Sequence, residues 1–210
     1  MNKTMKEHWN KVYSSNETRK LGWYEETPKP SITLLSRCNL DKDAAIFDMG
    51  AGATTLIDYL IDEGYTNIAV ADISKAALKR LKERLGKEKS SLVKWIVDDL
   101  TEPKYINQLK SIALWHDRAV LHFLVKENWQ QAYFATLKKI VQKGGYVIIA
   151  VFAMGGAKKC SGLDVVNYDQ NMLCERLGDD FELIEAFDYI YHMPSGKIRP
   201  YVYTLFQRKY

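Results

Sequence analysis

Asp48-Met49-Gly50-Ala51-Gly52-Ala53-Thr54 is the stretch on which the fold of this 210-residue chain turns. It closes the short apolar run from Ala44 to Met49, which reads as a strand, and opens a helical stretch from Thr54 to Glu63. Glycines at such a junction let the backbone bend sharply and approach a ligand, while the helix start offers unpaired N–H groups. A second apolar run, Ile68–Ala71, ends at Asp72, 20 positions after Gly52. That is the spacing at which an acid reaches ribose hydroxyls.

Outward from this turn the chain keeps a strand-then-helix rhythm. Ser74 is a good N-cap for a helix from Lys75 to Leu85, with Gly86 as its stop and Ala77, Leu78, Leu81 and Leu85 on one face. Leu92–Val97 and Ile112–Trp115 read as further strands, and Trp129 to Ile140 as a helix leading into Gly144-Gly145. Tyr146–Phe152, fully apolar, reads as a central strand. A helix near Asp169–Leu177 precedes two strand-like runs, Phe181–Phe187 and Tyr201–Gln207, joined through a turn at Met193–Gly196. The expectation is an α/β chain with a parallel sheet and an antiparallel closing pair. It is read as one domain, 1–210, in which residues 1–40 form a helical cap over the carboxyl edge of a core at 41–210.

Composition narrows the class. The chain is 47% hydrophobic and 27% charged, with a net charge of +4 from 30 basic and 26 acidic residues spread along it. Neither nucleic acid nor membrane is expected as a partner. Cys38, Cys160 and Cys174 are odd in number and lack CxxC spacing, which argues against disulfides or structural zinc and for a reducing, cytoplasmic setting. Met1 to Lys11 carries no apolar segment of a secretory signal, and the longest apolar run, Tyr146 to Met154, is too short to span a bilayer. His8, His116, His122 and His192 lack metal-ligand spacing, so no metal is expected.

The turn also selects among adenosine cofactors. A dinucleotide fingerprint would place a third glycine at position 55, where Thr55 stands. Asp48, two residues before Gly50, would repel a pyrophosphate, whereas S-adenosylmethionine (SAM) brings an ammonium and a sulfonium and no phosphate. Asp72 with Ile73 is assigned to the ribose. Asp99 is assigned to the adenine amino group and the following Leu100 to the same wall, with Asp98 capping the turn.

These residues resemble the class I SAM-dependent methyltransferases from Ala44 to Gly145. The family's last motif glycine is replaced by Thr54, Lys143 stands in its Pro-Gly-Gly turn, and Ala113 stands where an acid often precedes strand four. The resemblance implies a Rossmann-like, doubly wound seven-stranded sheet of order 3-2-1-4-5-7-6 with strand 7 antiparallel. Trp115-His116-Asp117-Arg118-Ala119, Cys160-Ser161-Gly162-Leu163 and His8-Trp9…Trp23-Tyr24 resemble bacterial methyltransferases labelled type 12. Asp117-Arg118-Ala119 is also similar to segments of thiopurine and protein-lysine methyltransferases, so it does not choose the substrate.

Methyl transfer from a sulfonium is an in-line displacement that positioning alone can promote by roughly 7–11 kcal/mol. The end of strand four places Trp115, His116 and Asp117 near the transferred methyl: His116 to take a proton, Asp117 to orient an amine or hold a water. Alternatively Asp117 pairs with Arg118 or caps the next helix. Trp23 or Tyr24 is expected to touch cofactor or substrate, Trp9 to pack the cap, and His122 to be buried in packing. His192, Lys197, Arg199 and Tyr201 border either the substrate entrance or a solvated hairpin. The expected reaction is methyl transfer from SAM to a small-molecule heteroatom nucleophile, leaving S-adenosylhomocysteine (SAH). The rivals are a protein-lysine methyltransferase, an NAD(P)-dependent reductase and a SAM-binding module without turnover.

Overall fold

Strands in this chain alternate their side chains strictly between two helical layers, and that alternation decides which residues reach the site. The computed structural model describes residues 3–210. The sheet contains β1 (Ile46–Met49), β2 (Ile68–Asp72), β3 (Val93–Val97), β4 (Ile112–Arg118), β5 (Val141–Phe152), β8 (Phe181–His192) and β9 (Ile198–Arg208). Short strands β6 (Lys159–Cys160) and β7 (Leu163–Asp164) pair separately as a ribbon. The spatial order is β3-β2-β1-β4-β5-β9-β8. β1 to β5 are parallel, and β9 runs antiparallel to both β5 and β8. Counting only the strands of this sheet, the order is 3-2-1-4-5-7-6 with the last strand reversed, as the resemblance implied.

One face of the sheet presents Phe47, Met49, Trp115, Ile149 and Val151 to α5 (Glu127–Ile140) and α6 (Gln170–Leu177). The other presents Ile46, Leu114, Ile148 and Ala150 to α2 (Lys29–Leu35), α3 (Leu56–Asp62) and α4 (Lys75–Ser91). In α4 the predicted apolar face is the buried one: Ala77, Leu78, Leu81 and Leu85. Gly86 does not end the helix. Its φ of 73° breaks helical geometry at that residue, and a further helical segment continues to Ser91. β4 also runs beyond the expected Trp115 to Arg118, because pairing with β5 continues through Arg118↔Ala150. β8 likewise extends to His192, held along its length by β9 from Phe181↔Arg208 to His192↔Ile198.

The N-terminal helix α1 (Lys3–Ser15) is tied to the start of α4. Asn10 Oδ1 accepts from Ser74 Oγ at 3.0 Å and from Ala76 N at 3.1 Å, while Ser74 Oγ accepts from Ala77 N at 3.1 Å. Ser74 thus caps α4 and anchors the segment above it. Among the described residues, no helix is long and apolar enough to cross a membrane.

Ser74→Ala removes the cap and one tie to α1. The expected cost is about 1 kcal/mol in urea unfolding, within the usual 0.5–2 kcal/mol range, with faster proteolysis in α1 than in the sheet.

Candidate cofactor and acceptor site

A cleft runs across the carboxyl ends of the strands, from β3 and β2 at one end to β5 and β9 at the other. Its floor is the glycine turn. Gly50 and Gly52 have φ of 65° and 55°, where side chains are strained. A Cβ at Gly50 would meet Val120 Cγ2 at 2.0 Å, and one at Gly52 would meet Tyr13 Oη at 2.2 Å. The two bare positions let the loop after β4 and the cap helix close directly onto the turn.

At the β2–β3 end, Asp72 gathers two amides: Gly52 N donates to Oδ2 at 2.9 Å and Ser74 N to Oδ1 at 2.7 Å. Burial outweighs these bonds and pushes its carboxyl up to about 6, with Asp48 adding to the rise. Ile73, Asp99 and Leu100 line the cleft beside it. Asp98 holds the neighbouring loop, its Oδ2 accepting from Lys104, Tyr105 and Ile106 amides at 2.7–2.9 Å. Thr101 donates to Asp99 Oδ1 through both N and Oγ1.

At the middle, the period of two along β4 separates residues that sequence placed together. His116 points to the α2 layer, where Asp48 Oδ1 lies 2.6 Å from Nδ1 and Ser31 Oγ 2.9 Å from Nε2. Asp48 Oδ2 is buried without a hydrogen-bond partner. Both residues line a side pocket with Gly50, Trp23 and Arg118. Trp115 points the opposite way. It is fully buried between Phe47 and Tyr133, its Nε1 donating to Tyr133 Oη at 3.2 Å, and it does not line the cleft. Its expected cofactor contact is corrected on that ground.

Asp117 shares Trp115's face and is also fully buried outside the cleft. Its oxygens accept from Val120 N at 3.0 Å, Leu121 N at 3.1 Å and Tyr133 Oη at 2.8 Å. Burial pushes the carboxyl up to about 7 against those three donors. Asp117 therefore fixes the loop after β4 and does not line the cleft, an arrangement like the capping that was its alternative. Arg118 is not its partner. The guanidinium reaches Glu25 Oε2 at 2.8 Å, Tyr203 Oη at 2.9 Å and Trp23 O at 2.9 Å.

The cap supplies the roof. Trp23 Nε1 donates to Tyr13 Oη at 3.0 Å, and Trp23 and Phe123 both meet Trp9 edge-on at 5.5 and 5.0 Å. Trp9, Tyr13 and Trp23 all line the cleft. At the β5–β9 end the lining is Phe152, Cys160, Met193, Arg199 and Tyr201, with His122 and Arg118 from the loop after β4. Arg199 and Tyr201 thus border the cleft, whereas His192 and Lys197 are exposed and do not. Sequence reasoning missed Phe152 and Cys160 as cleft-wall residues and Glu25 as a wall of the side pocket, and read His122 as packing. Only their positions after a strand or within the aromatic cap signalled them.

Residues 46–145 match the family model of a methyltransferase domain. EEF1A lysine methyltransferase 2 of Mus musculus is 27% identical over 106 residues, 47% of this chain and 43% of that protein. Its Danio rerio counterpart is 26% identical over 157 residues, 69% and 66%. The chain thus spans between two fifths and two thirds of the curated relatives it matches. A SAM-dependent methyltransferase from Anabaena variabilis superposes with TM-score 0.78 at 14% identity, covering 98% of this chain and 93% of that one. The N-methyltransferase NodS from Bradyrhizobium japonicum, in complex with SAH, gives 0.67 at 14% identity, covering 96% and 98%.

The raised Asp117 carboxyl gives a signed test. Between about pH 4, the ordinary carboxyl value, and 7 the folded chain holds a proton that the unfolded chain releases, so this contribution to stability declines as pH rises. Asp117→Asn lacks it. The wild-type advantage in unfolding free energy over that variant is expected to shrink by more than about 1 kcal/mol from pH 4 to 7. An advantage constant with pH would show that Asp117 does not titrate there. With its glycine turn, its seven-stranded sheet and a methyltransferase-domain match over residues 46–145, the chain has the fold of the class I methyltransferases.

Proposed function

We propose that this chain binds SAM and methylates a small-molecule heteroatom nucleophile, leaving SAH. The observation that carries the cofactor reading is the unpartnered, buried Oδ2 of Asp48 beside the glycine turn. A buried carboxylate oxygen without a donor is costly, and an ammonium is the partner that removes the cost. A phosphate there would meet like charge instead. Asp48, Gly50, Gly52 and Trp23 hold the amino-acid end of SAM, Asp72 and Ile73 its ribose, and Asp99 and Leu100 its adenine. When bound, SAM supplies a methyl on a sulfonium whose leaving group is a neutral thioether.

The chain's residues then align, enclose and exclude water. Asp117 and His116 act as positioning residues: the first sets the loop that packs on Gly50, the second orients Asp48. Trp9, Tyr13 and Trp23 roof the cleft, and an aromatic face near a sulfonium contributes on the order of 0.5–2 kcal/mol. The small-molecule reading rests on the far end of the cleft, where buried Phe152 and Tyr201 and the side chain of Met193 line the acceptor space. A protein lysine is the second reading, favoured by the similarity to the two lysine methyltransferases.

Calorimetry is expected to show SAH binding that Asp72→Ala weakens at least about tenfold, or 1.4 kcal/mol. Affinity for NADH or ATP without affinity for SAH would overturn the cofactor reading. With labelled SAM, a metabolite extract is expected to yield labelled small molecules. Label confined to protein in a parallel proteome incubation would instead select the lysine reading.

A further inference from the structure

The acceptor end of the cleft displays buried hydrogen-bond donors that the fold leaves unmatched. His122 is fully buried and lines the cleft, and its Nε2 has no hydrogen-bond partner. Phe152 N donates to its Nδ1 at 3.4 Å, which leaves the ring proton of the neutral imidazole on Nε2. Burial and the nearby Arg118 charge press its ionisation down to about 3, so at neutral pH the ring is an uncharged donor. Arg199 Nε is buried and unpartnered as well, and Arg199 makes no ion pair among the described residues. Arg118 Nη2 is the third unmatched nitrogen, although Glu25 balances that residue's charge.

These groups surround one pair of rings. His122 lies 4.2 Å from the Phe152 ring, the Arg199 guanidinium 5.9 Å from the same ring, and the Arg118 guanidinium 5.2 Å from Tyr201. Phe152 and Tyr201 themselves meet edge-on at 5.1 Å. The acids that line the cleft, Asp72, Asp98 and Asp99, all belong to the β2–β3 end. The acceptor end therefore offers aromatic walls, donors and the uncompensated positive charge of Arg199, while the nearby Glu25 carboxylate is taken up by Arg118.

Resting on the cofactor reading above, we infer that the methyl acceptor is a small aromatic or apolar molecule bearing a carboxylate or similar oxyanion, which Arg199 and His122 bind while Phe152 and Tyr201 hold its apolar body. Donors left unsatisfied in a buried site favour a ligand that supplies acceptors. A guanidinium engages a carboxylate through parallel N–H bonds, and its charge repels an ammonium. The same lining disfavours a protonated lysine side chain, which brings only donors and like charge.

Three near-isosteric probes test this on the full chain saturated with SAH: benzoate, benzamide and benzylamine, titrated by calorimetry. Benzoate is expected to bind at least about tenfold more tightly than either of the others, 1.4 kcal/mol. Arg199→Gln and His122→Phe are each expected to remove most of that preference, and Arg199→Lys, which keeps the charge, to retain part of it. SAH binding by each variant reports an intact fold. Since Arg199 is only partly buried on the hairpin, Arg199→Gln carries the test if His122→Phe does not fold. Benzylamine binding as tightly as benzoate, no detectable benzoate binding, or a preference that survives Arg199→Gln would overturn the inference. Failure of the wild-type chain to bind SAH would sink the cofactor reading instead, and the same probes titrated without SAH would still decide the charge preference.

Discussion

The site depends on one buried carboxylate. Asp117 has no exposed surface, and its oxygens must find donors inside the protein or cost several kcal/mol. It finds them in Val120 N, Leu121 N and Tyr133 Oη, so β4, the loop after it and α5 are joined at one point. Ala119 adopts a φ of 70° to bring those amides round, a strained conformation for a side-chain-bearing residue that the Asp117 bonds offset. The loop so fixed sets Val120 against Gly50 and continues into His122 and Phe123, which line the acceptor end. Removing this carboxylate would displace the floor and the far wall of the cleft together.

Charge along the cleft is graded in a way that suits two dissimilar ligands. Acids gather at the β2–β3 end, to which the proposed reading assigns a neutral ribose and adenine with hydroxyl and amino donors. At the centre the Arg118–Glu25 pair, both partners nearly buried at 11% and 8% exposure, carries no net charge and holds the cap by bonding Trp23 O. Burial raises the Glu25 carboxyl, and the facing guanidinium pulls it back toward ionisation. Breaking such a pair by removing one partner leaves a lone buried charge, which is worth far more in cost than the intact pair gives in stability. Arg118 therefore separates the acidic end from the donor-rich one while fastening the roof over both.

The fold was readable because its signals are periodic and local. Alternating apolar runs, the Ser74 cap and the glycine turn mark strands, helices and crevice with little help from tertiary context. One end of the cleft was readable for the same reason, since Asp72, Ile73, Asp99 and Leu100 lie at or just after strand ends and all line it. Trp115 and Asp117 were misplaced because adjacency in sequence means opposite faces in a strand: Trp115, His116 and Asp117 could not all meet one ligand. Glu25 carries no local mark at all, and Tyr13 only that of the aromatic cap. Their positions are set by Arg118 and Gly52, which lie far along the chain.

The acceptor end is hard to read by likeness for a further reason. The methyltransferase domain match stops at residue 145, but Phe152, Cys160, Arg199 and Tyr201 all come later in the chain. They lie on the end of β5, the β6–β7 ribbon and the β8–β9 hairpin, which close the far end of the cleft. Resemblance over the first four strands and the start of β5 therefore speaks to the cofactor, and a lysine-directed relative and a small-molecule enzyme can share all of it. What distinguishes them must be argued from the side chains of the acceptor end, where Arg199, beyond that region and with its Nε unmatched, and the neutral, donor-bearing His122 within it face the same aromatic pair. An anion satisfies both groups at once, and an ammonium satisfies neither.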